Sequence, residues 1–229
     1  MEDSFSIENF VGILKNKKKD EAILYCIEYL KSFPNINPLN VYEKFILPFL
    51  SNYQCFYEEE FCVWEEHFIS STFNSIIGSV YPYLISYRKV LLDKNEVTLK
   101  NKTILFACPS EEYHELGIKI VSDYFYMEGF NVYYLGANTP QEEIFRGAKI
   151  LNVDFIALSV SNPYNILTLK RTIKYLKRNI NEMNLNMKII VGGGAFKNNK
   201  TLVDEVDADF FVDDISNINE FSDRMFKEG

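Results

Sequence analysis

The spacing of apolar residues changes once along this chain, and that change divides it into two differently folded parts. Up to residue 88, apolar positions recur at three and four: Phe5, Phe10, Ile13 and Leu14, then Ala22, Ile23, Cys26, Ile27 and Leu30. These are the faces of amphipathic helices. Breaks fall at the lysine-rich run 15–19 and at 33–38, Phe-Pro-Asn-Ile-Asn-Pro, where proline forbids continuation and asparagine suits a turn. A third helix is predicted over about 38–53, bent at Pro48, and a fourth over about 60–87. Four helices with short connections imply an antiparallel four-helix bundle over 1–88.

Residues 89–101 lose the helical period and gain charge, which marks a linker. Beyond it, over 102–229, short β-rich runs at 103–107, 132–135, 155–160, 188–191 and 210–212 alternate with helical stretches at about 115–128, 140–152, 166–183, 199–206 and 216–227. Such alternation predicts right-handed β-α-β units and a five-stranded parallel sheet with helices on both faces, an α/β architecture. In an open parallel sheet a ligand sits beyond the carboxyl ends of the strands, near the point where strand order reverses. The segments that matter for function are therefore the loops 108–113, 136–139, 159–165, 192–197 and 213–215.

Several function classes are disfavoured. Lys and Arg number 24 against 32 Asp and Glu, and the net charge of -8 repels a polyphosphate backbone. The basic clusters at 15–19 and 170–178 read as solvated faces, so no nucleic acid partner is expected. The N-terminus has neither a basic n-region nor an apolar h-region, and no apolar run is long enough to span a bilayer; a cytoplasmic protein with no membrane partner is expected. Four cysteines, Cys26, Cys55, Cys62 and Cys108, show no C-x-x-C or zinc-type spacing and are expected to be free thiols acting as small buried hydrophobes. No phosphate-binding glycine pattern follows the first strand, and no nucleophile-base pair appears, so an enzyme is not expected.

What remains is a constellation at the strand ends. The chain has 2 histidines, His67 and His114, and His114 follows the first strand within Glu112-Tyr113-His114-Glu115-Leu116-Gly117. An imidazole there can ligate a metal through one nitrogen while the carboxylate of Glu112 holds the other N–H and raises its basicity. Gly117 would let a bulky ligand approach where the next helix begins. By itself a histidine at such a tip is more often an ordinary polar residue. The third strand, however, ends in Ser159-Val160-Ser161 and the fourth in Gly192-Gly193-Gly194-Ala195-Phe196, where missing β-carbons allow a flat group to lie against the backbone.

The order E-x-H-x-x-G, then S-x-S after the 41 residues 118–158, then G-G-G, is similar to the signature of cobalamin-binding domains. That signature is Asp-x-His-x-x-Gly, Ser-x-Leu and Gly-Gly, as in methionine synthase, corrinoid carrier proteins and adenosylcobalamin-dependent mutases. The phrase 134–140, Tyr-Leu-Gly-Ala-Asn-Thr-Pro, also looks like the family's. The resemblance covers 102 to about 225 and implies a Rossmann-like, flavodoxin-like domain. It further implies cobalamin as cofactor (adenosylcobalamin, methylcobalamin or hydroxocobalamin), with His114 as the lower cobalt ligand. The cofactor's dimethylbenzimidazole tail would then leave cobalt and lie in a groove lined by Ser159, Ser161 and Gly192 to Gly194, with Glu112, Tyr113, Gly117 and Phe196 also in contact. Two departures stand out: Glu112 replaces the usual aspartate, adding a methylene, and Ser161 replaces leucine, making the groove more polar.

On the fourth helix Glu60, Trp64, His67, Ser71, Asn74 and Gly78 recur as one stripe too polar for a core, suited either to a helix-domain interface or to a cofactor. The pair Glu66-His67 resembles the Glu-His of cobalamin-binding light-sensing transcription regulators, whose helical bundle caps the upper cobalt face. In that register Phe56 holds the place of the family's tryptophan, and Tyr57 that of a histidine used by some members for light-induced ligation. Phe56, Trp64, Glu66 and His67 are thus the expected upper-face residues. The resemblance implies a sensor or regulatory module, photoreceptor-like, with a transcription regulator as protein partner. The alternative is a corrinoid carrier subunit with a methyltransferase as partner, and a flavodoxin-like domain without a ligand is a third reading.

Overall fold

The computed structural model describes residues 5–53, 55–56, 62–197, 201–213, 215 and 218–228. The chain falls into two compact units, Met1–Lys94 and Asn95–Gly229. Among the described residues no helix is long and apolar enough to cross a membrane.

The first unit is helical. Helix α1 (Ile7–Lys15) starts at Ser6, whose hydroxyl accepts the Asn9 N–H at 3.2 Å, and it buries Phe10 and Leu14. Helix α2 (Lys19–Ser32) buries Ala22, Cys26, Tyr29 and Leu30. The third segment is not a bent α-helix. Tyr42–Ile46 wind as a wider π-helical turn that leads directly into α3 (Leu47–Asn52). Pro48 sits directly after that turn, at the start of α3. Helix α4 (Val63–Asp93) is 31 residues long and turns Glu65, Ile69, Thr72, Phe73, Ile76, Ile77, Val80, Leu84 and Arg88 inward at spacings of three and four. It runs into the segment expected as a linker, since no glycine or proline between Pro82 and Asp93 stops it. The core is aromatic: Phe10 stacks on Phe73 at 6.2 Å and packs on Phe45 at 5.3 Å, tying α1, the π-helical turn and α4 together.

The second unit is a five-stranded, all-parallel sheet in the order β2-β1-β3-β4-β5. Its strands are β1 (Thr103–Pro109), β2 (Asn131–Thr139), β3 (Phe155–Ser159), β4 (Lys188–Gly192) and β5 (Phe210–Val212). Helices α5 (Leu116–Met127), α6 (Gln141–Ile150), α7 (Ile166–Glu182), α8 (Thr201–Glu205) and α9 (Ile218–Glu228) alternate with them. Strand residues point alternately to the two faces. Leu105, Ala107, Ile156 and Leu158 join Ile144, Ala148, Leu169 and Ile173 of α6 and α7 in one core layer. Phe106 meets Phe125 of α5, and Phe210 meets Phe221 of α9, on the other. Burial on both faces explains why β1, β3 and β4 read as near-continuous apolar runs. Strand order reverses between β1 and β3, whose carboxyl ends lie side by side and whose crossovers leave in opposite directions.

Candidate functional site

The chain that leaves β1 is folded back by a buried carboxylate. Glu111 adopts the left-handed conformation, φ 69°, and its N–H donates to Asn138 Oδ1 at 2.9 Å, which pins the turn to the end of β2. The next side chain, Glu112, is fully buried. Its Oε1 accepts the His114 backbone N–H at 2.9 Å and lies 2.6 Å from His114 Nδ1. Its Oε2 accepts the N–H of Ser161 at 2.9 Å, that of Asn162 at 3.1 Å and the Asn165 side-chain amide at 3.2 Å. One carboxylate therefore bridges the loops after β1 and β3, at the reversal point of the sheet.

Burial alone raises the Glu112 pKa, but the hydrogen bonds from His114, Asn162 and Asn165 outweigh it and hold the carboxyl at about 2. Glu112 is thus anionic and can only accept, so the proton of the 2.6 Å contact sits on His114 Nδ1. That tautomer makes Nε2 the nitrogen able to coordinate a metal, and the His114 side chain is 53% exposed beyond the strand ends. An imidazole whose Nδ1–H is held by a carboxylate presents Nε2 as a donor suited to a metal ion. The residues present fit a corrinoid.

The comparisons agree with this geometry. Residues 102–214 match the family model of the B12 binding domain. The α/β unit is a B12-binding domain. Its cofactor is accordingly a cobalamin. The chain is 25% identical over 128 residues to dimethylamine corrinoid protein 1 of Methanosarcina acetivorans, a match over 56% of this chain and 58% of that protein. The matched part thus spans little more than half of the relative's length. The monomethylamine corrinoid protein of Methanosarcina barkeri has the same fold, with a TM-score of 0.71 at 15% identity over 96% of this chain and 97% of that one.

Around His114 the B12-binding domain brings several sequence-predicted residues together. Tyr113 is 68% exposed beside it, and a β-carbon on Gly117 would meet nothing within 4 Å, so the start of α5 is open there. Ser159 pairs in register with Gly192, which places the ends of β3 and β4 side by side. Ser161 contributes its backbone N–H to Glu112. Gly193 has φ 112°, and a β-carbon there would run into the Val160 carbonyl and lie 2.7 Å from Ser159 Oγ. Its missing side chain lets the β4 turn close on β3 through the Ala195 N–H to Val160 O bond of 3.1 Å. Phe196 is 1% exposed and packs on Phe211 at 5.3 Å, so it supports the turn from the core.

Three contributors lay outside the motif reading. Asn165, at the N-cap position of α7, makes no side-chain cap bond there and instead donates to both Glu111 O at 3.1 Å and Glu112 Oε2 at 3.2 Å. Thr168 holds the Glu111 carboxylate at 3.0 Å. Glu115 accepts the Tyr134 hydroxyl at 2.8 Å and the Ala137 N–H at 3.0 Å, joining the start of α5 to β2. The Asn-Pro-x-Asn run at 162–165 was the available signal for the first, since asparagine caps short helical turns.

In the helical unit, Trp64 is 51% exposed, and Glu66, His67, Ser71 and Gly78 lie on the exposed face of α4, with Asn74 half-buried. Phe56 is half-buried, its N–H donating to Glu65 Oε2 at 2.9 Å. Lys17 Nζ lies 5.1 Å from the Phe56 ring centre and 5.3 Å from that of Trp64. Tyr57 and Glu60 fall outside the described residues. Cys55 and Cys62, expected to be free, are joined in a disulfide, with their Cα atoms 5.9 Å apart.

Proposed function

We propose that the protein is a corrinoid carrier that binds cobalamin base-off with His114 as the lower axial ligand and serves a partner methyltransferase. The observation that carries this is the Glu112–His114 pair, fixed at the reversal point of a B12-binding domain with Nδ1 protonated by geometry. The corrinoid supplies a metal centre able to take up and pass on a methyl group. The chain's own part is to hold it. His114 offers Nε2, Glu112 keeps the proton on Nδ1, and Asn165, Ser161 and Asn162 keep Glu112 anionic and in place. Ser159, Ser161 and Gly192 to Gly194 are assigned to the cofactor's nucleotide tail, and Tyr113 and Gly117 to the corrin edge.

The carrier reading is preferred to the sensor reading because the relative matched in sequence is named a corrinoid protein. The sensor reading rests on Glu66-His67, and with it goes the transcription regulator as partner. One experiment separates them. The protein loaded with hydroxocobalamin is reduced and offered a methyl group from a methanol or methylamine methyltransferase system while the cobalt spectrum is followed. Methylation supports the carrier. A bound cofactor that refuses methyl transfer but changes the protein's mass or spectrum with adenosylcobalamin in light would favour the sensor.

A further inference from the structure

Of the four cysteines, two are sealed away and two are poised to react. Cys26 and Cys108 are buried, and burial pushes both thiols far up, that of Cys108 to about 12. Cys55 and Cys62 are only half-buried, and their sulfurs are joined. Their Cα separation of 5.9 Å lies within the range of about 4.4–6.8 Å that admits a disulfide without moving the backbone. Cys62 is also the N-cap residue of the 31-residue helix α4, where the positive end of the helix favours a thiolate.

The surroundings of this pair are fixed. Glu65, buried in the first turn of α4, comes close enough to both sulfurs that the three groups lie within 4.8 Å of one another. Its charge is already met: Oε1 takes Lys17 Nζ at 2.6 Å, and Oε2 takes the Tyr53 hydroxyl at 3.0 Å and the Phe56 N–H at 2.9 Å. Both carboxylate oxygens are therefore committed to holding the 53–56 segment on the helix, which argues against their serving as ligands of a metal. Lys17 neutralises the carboxylate that would otherwise oppose a thiolate at Cys62.

We infer that Cys55 and Cys62 form a reversible dithiol-disulfide pair, a redox modification site at the start of α4 that exchanges with low-molecular-weight thiols and disulfides. In the oxidising direction the Cys62 thiolate attacks one sulfur of a disulfide RSSR. The S–S bond breaks, RS⁻ leaves, and Cys62 carries the mixed disulfide. Cys55 then gives its proton to solvent and attacks the Cys62 sulfur, expelling the second RS⁻. Two protein thiols are oxidised, and one RSSR is reduced to two RSH. The closed pair ties Cys55 to the start of α4, beside the bonds by which Glu65 holds Tyr53 and Phe56. Because the pair belongs to the apoprotein, its chemistry does not depend on which cofactor the α/β unit holds.

The test equilibrates the full-length apoprotein in glutathione buffers of varied thiol-to-disulfide ratio, blocks free thiols by alkylation and reads intact mass. Emission of Trp64, the single tryptophan of the chain and two residues beyond Cys62, is read in parallel. The expected result is a reversible two-electron conversion confined to Cys55 and Cys62, with a change in Trp64 emission that the double variant C55S/C62S lacks. In C55S, Cys62 is expected to take up glutathione at least about tenfold faster than Cys55 does in C62S. Thiols that stay reduced in excess glutathione disulfide would overturn the proposal. So would stoichiometric zinc uptake that blocks alkylation of both thiols, or equal reactivity of the two single variants.

Discussion

Replacing Glu112 by glutamine keeps its size and removes its charge, and the bonding pattern dictates how the site responds. The amide oxygen must occupy the Oε2 position, where three donors converge from Ser161, Asn162 and Asn165. The amide NH₂ then faces the His114 backbone N–H, donor against donor, and points at Nδ1. The proton of His114 is driven to Nε2, the atom needed for the metal. The stability cost comes from the carboxyl's shift from 4.5 to about 2, which corresponds to about 3 kcal/mol at neutral pH. For a depressed carboxyl that stabilisation is complete above the unfolded value and disappears as pH falls through the folded one. The gap between wild type and E112Q should therefore be full at pH 7, fall by more than half at about pH 3 and close near pH 2. Calorimetry at pH 7 should show the transition of the α/β unit lowered by roughly 10 °C, at about 3–4 °C per kcal/mol for a unit of this size. With cobalamin added, E112Q should lose the histidine-on spectrum although His114 is intact. A shift of under about 3 °C, or a gap independent of pH, would refute the argument that this carboxylate is held anionic by its neighbours.

The same contacts set three further outcomes. His114→Ala removes the 2.6 Å side-chain bond to a buried carboxylate and should cost about 1–3 kcal/mol in denaturant unfolding, and it should bind hydroxocobalamin without the base-off, histidine-on absorbance; an unchanged spectrum would move the lower ligand elsewhere. Asn165→Ala removes two donors from the loop after β1, one of them to a charged group, and should cost about 1–3 kcal/mol in denaturant unfolding, with weaker cobalamin affinity by titration. Gly193→Ala forces a side chain into φ 112° against the Val160 carbonyl and should lose on the order of 3 kcal/mol or fail to accumulate as folded protein; wild-type behaviour there would mean the β4 turn relaxes freely.

How much of the fold and site was readable depends on the range of each interaction. The strands β1, β3 and β4 lie between two layers of helices and announce themselves as short apolar runs, so their positions and the parallel sheet were legible. Edge strand β2 was read too short: its pairing with β1 continues to Thr139 only through register shifts that open at Gly136, and such irregular pairing leaves no period-two trace. The motif order identified His114 and Glu112 because their contact is local, two residues apart. Asn165 was not visible in that motif, since its bond to Glu112 spans 53 residues and depends on two strand ends lying side by side. The extra methylene of Glu112, read as a departure from the family, is what this bond network must accommodate: a longer arm whose second oxygen takes three donors from the loop after β3.

The glycine run shows where pattern reading stops for a physical reason. A missing β-carbon in a sequence reveals that space is needed, not what fills it. At Gly193 the space is taken by the carbonyl of Val160 and the hydroxyl of Ser159, so the residue acts by letting one strand end close on another. Gly117 answers the same question the other way, since a β-carbon there would meet nothing. The two glycines of the signature therefore make opposite predictions on substitution. Alanine at 193 should unfold the turn whether or not cofactor is present, whereas alanine at 117 should leave the apoprotein as stable as wild type, or slightly more so through its higher helix propensity, and show any effect only in cobalamin affinity. Should Gly117→Ala instead destabilise the apoprotein by more than about 1 kcal/mol, the open start of α5 would not be the approach to the ligand that the motif implies.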